Sequence, residues 1–366
     1  MSIRHLIFRQ GLIMLRATGL GKLLSPVTQG PGVIFTLHHV NADEPAAFSP
    51  NEHLAVTPDF LRQTVEQIRE SGYEFVSLDE VVDRLKSGYG HRRFAALTFD
   101  DGYRDNLSVA YPILKELKVP FTIYVATGFV DREAELWWKA LEQIIGANDR
   151  ISINRKGHSF DVTCATVEEK LECYRRLIKW MTCELDEYEQ RTAIRDLARD
   201  YDFDLRALVD REIMTWEELR TISDDPLVTI GAHTHGHYAL GRLPAKDIKH
   251  ELDVCYARLK KELGLKPRHF AYPYGYVQAV SDEAAGVLAD FGFSSSVTTQ
   301  AGHLQGLYTR NLQKLPRVSL NGCYQTREAV EQYLTGAPFA LYRLSKWVRG
   351  GFGLRSLTSR LFPSTR

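Results

Sequence analysis

Short apolar runs recur along the chain, separated by polar stretches with helical periodicity: GVIFTL (32–37), YEFVSL (73–78), FAALTF (94–99), VPFTIYVA (119–126), LVTIGAH (227–233), HFAYP (269–273), FSSSVT (293–298) and KLPRVSL (314–320). Runs of this length that are apolar on both faces read as strands of a parallel sheet covered by helices. About eight alternating units predict an α/β fold, a (β/α) barrel that is complete or short of a strand. The stretch TPDFLRQTVEQIRESG (57–72) fits one covering helix, with Thr57 as N-cap, Pro58 in the first turn and a glycine at the end.

Between about 130 and 213 the alternation breaks. ELWWKALEQII is helical in pattern, ISINRKGHSFDVT reads as a small hairpin, and VEEKLECYRRLIKWMTCELDEYEQRTAIRDLARDY as a long charged amphipathic helical stretch. An insertion of this size after a barrel strand is expected to serve as a lid or partner surface rather than a linker. The expected organisation is a basic amphipathic segment over 1–30, a barrel over 31–336 carrying the insertion 130–213, and a basic segment over 337–366.

With 44% hydrophobic and 25% charged residues, a chain of 366 residues buries a sizeable core, and disorder is not the default reading. The formal net charge is zero but unevenly placed. Arg4, Arg9, Arg16 and Lys22 meet no acid within residues 1–30, and Arg343, Lys346, Arg349, Arg355, Arg360 and Arg366 meet none within 337–366. These ten cations leave the body between them at −10, which argues against a general nucleic-acid binder. The basic ends are interleaved with apolar residues. That composition suits either peripheral association with an anionic membrane or terminal helices packed on the domain with basic outer faces.

No uninterrupted apolar run approaches the ~20 residues needed to cross a bilayer. Arg9 and Arg16 interrupt what would be the apolar core of a cleavable signal, so the expected location is the cytoplasm, either free or peripheral at the inner face of the membrane. The five cysteines, Cys164, Cys173, Cys183, Cys255 and Cys323, lack CxxC spacing and read as free thiols.

Three strand ends carry candidate chemistry. LTFDDGYRDN (97–106) runs from an apolar strand into two adjacent carboxylates, Asp100 and Asp101. An Asp-Gly turn explains them blandly; a site where a cation offsets the repulsion of neighbouring carboxylates explains them more sharply. GAHTHGHYAL (231–240) places His233 and His237 four apart, a spacing that puts both imidazoles on one side of a helical turn. Two histidines are one ligand short of a three-ligand zinc centre, and one of the two aspartates can complete it. His235, between them, is expected to face elsewhere. In HFAYPYGY (269–276), Pro273 ends strand pairing and leaves the backbone N–H of Tyr274 or Gly275 to face the same mouth.

LTFDDGY, HTHGH and FAYPYG, in this order and on strand ends, resemble the NodB-homology polysaccharide deacetylases, carbohydrate esterase family 4. The resemblance covers most of 31–130 and 214–320. It implies a distorted (β/α) barrel of about seven or eight strands, Asp100 as general base, Asp101, His233 and His237 as ligands of a divalent metal, usually Zn2+, and the Tyr274 N–H as oxyanion donor. Ala271 stands where many members have the arginine that orients the catalytic aspartate, and Arg317 in LPRVSL is the substitute within reach, unless it is a surface or packing arginine. No histidine follows His303, so the late histidine motif that supplies the general acid is missing. FTLHHV (35–40) resembles the early histidine element of the poly-N-acetylglucosamine deacetylases, which makes His38 the candidate acid, against a core histidine.

The resemblance implies a metal-dependent hydrolase that removes N-acetyl groups from N-acetylhexosamine units of a polysaccharide, an oligosaccharide or a lipid-linked precursor. O-deacetylation at the same site, hydrolysis of a cyclic imide, and a catalytically silent glycan-binding protein are the rival readings. Trp137 and Trp138 either stack on a sugar or pin the insertion to the barrel, and packing is the commoner fate of tryptophan.

Overall fold

The computed structural model describes residues 3–349 apart from 44, 89–91, 156–157 and 306–310. Seven parallel strands close on themselves: β1 (Gly32–Leu37), β2 (Phe94–Phe99), β3 (Phe121–Val125), β4 (Val228–Ala232), β5 (His269–Ala271), β6 (Ser295–Ala301) and β7 (Leu315–Ser319). Neighbours in chain order pair throughout, as in Leu97↔Phe121, Val125↔Ala232, Phe270↔Ala232 and Ala271↔Val297. β1 closes the ring by pairing with both β2 (Leu37↔Phe99) and β7 (Phe35↔Val318). Strands β1, β2 and β3 are buried at every position, which is why they read as unbroken apolar runs.

The apolar run at 73–78 does not become an eighth barrel strand. Only Glu74 and Phe75 pair, with the start of β2. Ser77 then accepts a hydrogen bond from the Glu80 N–H and starts the helix Leu78–Ser87, so capping cuts the strand short. The helix Pro58–Glu70 forms with Thr57 accepting from the Phe60 N–H and Pro58 in its first turn.

The stretch between β3 and β4 holds the helix Trp137–Ala147, an antiparallel hairpin (Arg150–Arg155 with His158–Thr163) and the helices Val167–Cys183, Glu187–Asp200 and Leu205–Glu212. The long amphipathic stretch breaks at Asp186, which accepts from the Glu189 N–H while Glu189 reaches back to the Asp186 N–H, a reciprocal cap that begins a new helix. The ends of the chain form the helices Ile3–Ala17, Leu20–Thr28 and Ala337–Arg349, packed against one another and on the helix Arg327–Thr335. The basic positions Arg355, Arg360 and Arg366 lie outside the described residues. All five cysteines are free thiols.

Behind β6, His303 is buried and donates from Nε2 to the Tyr333 carbonyl at 2.8 Å, which fastens the Arg327–Thr335 helix to the barrel. Burial lowers its pKa from 6.5 to about 4. The unfolded chain therefore takes up this proton near pH 6.5 and the folded chain only near 4, so the stability the neutral ring secures is complete above about 6.5 and drains away as pH falls toward 4. The loss amounts to roughly 3 kcal/mol at the acid end. Denaturant melts from pH 7 to pH 4 are expected to show this decline and His303→Gln, which keeps a donor for Tyr333, to flatten it; an unchanged slope in the variant would assign the decline to other groups.

Candidate active site at the barrel mouth

The C-terminal ends of β2, β4 and β5 bring Asp100, Asp101, His233, His237 and Tyr274 to one face of the barrel. Asp100 continues β2, its N–H bonded to the Leu37 carbonyl at 3.0 Å. Asp101 then takes φ 73 and Gly102 φ 76, a left-handed pair that needs the glycine and turns the second carboxylate away from the first. Both aspartates are buried.

Arg317 on β7 meets Asp100 with two parallel bonds, Nη1 to Oδ1 at 2.7 Å and Nη2 to Oδ2 at 2.6 Å. It is neither a surface nor a merely packed arginine. Its Nε donates to the Thr298 carbonyl and its Nη1 also to Thr98 Oγ1, so the fork is fixed before it reaches the carboxylate. Burial raises the Asp100 carboxyl, and the guanidinium outweighs it, leaving the group below its ordinary value and ionised.

Asp101 faces the other way. Its Oδ1 lies 3.3 Å from His233 Nε2 and 3.1 Å from His237 Nε2. Here the helical-turn reading of the histidine spacing is corrected: residues 233–237 form no helix, and the rings converge because Thr234 (φ 63) and His237 (φ 54) adopt left-handed conformations in a loop. His233 Nδ1 donates to the Ala271 carbonyl at 2.7 Å, which leaves Nε2 as the lone-pair nitrogen aimed at Asp101. Burial lowers His237 to about 4, whereas the Asp101 carboxyl, which burial would raise, is held well below its usual range by the two imidazoles. A neutral His237 ring and an ionised Asp101 carboxylate are the protonation states in which such groups ligate. Asp101 Oδ1 is moreover a buried oxygen with no hydrogen-bond partner. These residues fit a divalent cation, which would pair with the unpartnered Oδ1.

His235 is excluded from this cluster. It is half-buried, bonded to Thr127 Oγ1 and facing Glu133 at 3.2 Å. Tyr274 (φ 61) sits in a three-residue turn in which the Gly275 N–H donates to the Pro273 carbonyl at 2.7 Å, so of the two backbone donors expected here Gly275 is already engaged. His38, half-buried past the end of β1, feels the charges of Asp101, Asp100 and Arg317, although burial dominates and lowers its pKa. Trp137 and Trp138 are buried and pack at the site, Trp137 Nε1 donating to the Tyr274 hydroxyl at 2.8 Å and the Trp138 ring lying 5.1 Å from that of His237.

Sequence reasoning passed over the residues that hold the histidine loop. Glu251 accepts from the N–H groups of His235 and Gly236, at 3.0 and 2.6 Å. Arg191, fully buried in the insertion, donates to the carbonyls of His237 and Gly236 at 2.8 and 3.3 Å, and Glu187 accepts from the Ala239 N–H at 3.0 Å. The i, i+4 spacing of Glu187 and Arg191 resembles any surface pair on a charged helix, so only the fold reveals their target. Beside the mouth lies a cavity of about 260 Å³ lined by both polar and apolar residues, among them His39, Asn51, Lys139, Glu142, Leu54 and Val56.

The buried carboxylates and imidazoles gathered at the C-terminal face of the closed barrel suit hydrolytic chemistry. The family model for polysaccharide deacetylases matches residues 87–295, more than half of the chain, and the protein belongs to that NodB-homology family. β1 with His38 and β7 with Arg317 lie outside the matched stretch. No curated protein matches the sequence significantly. Among solved structures, the deacetylase PplD of Streptococcus pyogenes, in complex with acetate, is 19% identical with a TM-score of 0.54, covering 82% of this chain and 97% of its own. IcaB of Ammonifex degensii is 20% identical with a TM-score of 0.52, covering 85% and 97%. A polysaccharide deacetylase of Bacillus cereus is 16% identical with a TM-score of 0.51, covering 83% and 68%. At these identities the likeness is one of fold.

Removing the guanidinium leaves a buried carboxylate without its counter-ion. Arg317→Met is expected to cost about 3–5 kcal/mol, and the double variant Asp100→Asn with Arg317→Met to recover most of it. Urea melts of the four proteins in this cycle test the point, because an equally large loss in the double variant would mean that the pair is not its source.

Proposed function

We propose that the protein hydrolyses the N-acetyl groups of N-acetylhexosamine units in a polysaccharide, an oligosaccharide or a lipid-linked glycan precursor. The observation that carries this reading is the division of labour between adjacent carboxylates, Asp100 engaged by Arg317 and Asp101 by the two imidazoles. Asp101, His233 and His237 would hold a divalent ion, Zn2+ suiting two imidazoles and a carboxylate. Such an ion supplies Lewis acidity toward the acetyl carbonyl and makes water acidic enough to deprotonate near neutral pH.

Asp100, ionised and held in place, takes the proton from the attacking water. The Tyr274 N–H donates to the oxygen on which negative charge develops, an interaction worth about 3 kcal/mol. His38 hands a proton to the departing nitrogen as the C–N bond breaks, which leaves acetate and a free amine. The cavity beside His39 and Lys139 gives room for a neighbouring sugar. A cytoplasmic place of action is part of the proposal, supported by the five free thiols, which suit a reducing compartment.

Asp100→Asn is expected to lower acetate release from N-acetylglucosamine oligomers by about 10²–10⁴-fold. A chelator should abolish the activity and added Zn2+ restore it. Mass spectrometry of the product separates loss of N-acetyl from loss of O-acetyl groups. Metal-loaded protein that releases no acetate from any such oligomer or lipid-linked sugar would overturn the reading.

Arg191 serves the same centre indirectly, by fixing the carbonyl of a ligand histidine. Arg191→Met should weaken Zn2+ binding about 10–100-fold by competition titration. Unchanged affinity with lowered stability would reduce Arg191 to a packing role.

A further inference from the structure

Ten of the thirteen large apolar side chains that stand exposed among the described residues lie in just two places, residues 6–27 and 341–344. Ile7, Met14, Leu23 and Val27 are 64 to 76% exposed on the two N-terminal helices, and Tyr342 and Leu344 are more than half exposed on the C-terminal one. These helices pack against one another, so the exposed positions lie on one three-helix unit rather than being scattered over the chain. A soluble monomer seldom leaves so much apolar surface together without a use for it.

The charge of this side indicates what covers it. Residues 1–30 hold four cations and no acid, and the C-terminal helix Ala337–Arg349 three cations and no acid, in a chain whose total charge is zero. Glu328 and Glu331, from the helix beneath, pair with Arg16 and Lys22 at 3.1 to 3.4 Å, and Lys22 remains largely exposed. Apolar side chains interleaved with cations on helices too short and too polar to cross a bilayer are the composition of helices that lie in a membrane interface. The face also reaches the mouth of the barrel. A groove of about 300 Å³ is walled by Phe8 and Tyr342 of the terminal helices on one side and by Thr299, Ala301, Ser319 and Asn321, at the ends of β6 and β7, on the other.

We infer that the three terminal helices form a docking surface for an anionic bilayer, which brings the barrel mouth to glycans carried on that membrane. The docking stands on the surface itself; that the carried molecule is an N-acetylated glycan rests on the function proposed above.

The test uses the full chain, phosphatidylglycerol vesicles, phosphatidylcholine vesicles, and two double variants at exposed positions, Leu23→Glu with Val27→Glu and Ile7→Glu with Met14→Glu. Co-sedimentation with the anionic vesicles is expected. It should weaken in high salt and on the neutral vesicles, and fall about tenfold or more in each variant. Circular dichroism and acetate release from a soluble N-acetylglucosamine oligomer should be unchanged. Failure of the wild-type protein to bind anionic vesicles, or equal binding by the variants, overturns the docking inference. So does a dimer in sedimentation equilibrium that the same variants dissociate, which would assign the face to a second copy of the chain. Vesicle binding without acetate release from any substrate would instead leave the docking standing and remove the proposed chemistry.

Discussion

The structure depends on one ion pair that crosses the inside of the barrel. Asp100 ends β2 and Arg317 lies on β7, two strands that do not touch but flank β1 on opposite sides. Their side chains meet only if β1 pairs with both neighbours and closes the ring. Ring closure and the state of Asp100 are thus a single constraint. A buried pair of this kind is weak evidence for stability, because desolvating two charges offsets most of their attraction. Its value is positional. Thr98 and Thr298 hold the fork, the fork holds both carboxylate oxygens, and the carboxyl stays ionised in a place where burial alone would protonate it.

The same mouth stores backbone strain. Four of the seven non-glycine residues with positive φ among those described are Asp101, Thr234, His237 and Tyr274. Each such residue costs of order 1 kcal/mol or more and persists only where its surroundings over-determine it. The surroundings are visible: Thr234 Oγ1 accepts from the His237 N–H, Glu251 takes two N–H groups of the loop, Arg191 takes two carbonyls, and Trp137 ties down the Tyr274 ring. Two of these supports, Arg191 and Trp137, come from the stretch between β3 and β4. That stretch is therefore less a lid than a second wall of the site.

How much of this was legible beforehand follows from the range of each signal. Strand runs and the residues at their ends are local patterns, so the barrel and the groups at its mouth could be read directly. The eighth run failed as a barrel strand because a serine cap outcompeted pairing within three residues, a contest that apolar periodicity does not register. The histidine spacing singled out two rings that the fold does bring together, but through left-handed loop residues instead of a helical turn. Arg317 was visible only as an arginine near a strand end, since its partner lies 217 positions away in sequence. Arg191 and Glu251 left no signal, because a buried charge that serves a distant loop looks in sequence like one more residue of a solvated helix.

The arrangement also bears on why two carboxylates stand side by side. Were both turned toward the imidazoles, two like charges would compete for one cation and one of them would protonate. Were both bound by Arg317, no oxygen would be left for the histidines. The left-handed turn at Asp101 and Gly102 sends the two side chains apart, Asp100 to a guanidinium fixed to the wall and Asp101 to two imidazoles whose Nε2 atoms lie 3.1 and 3.3 Å from its unpaired Oδ1. The cation proposed above, held between the three groups, would complete the electrostatics of this corner.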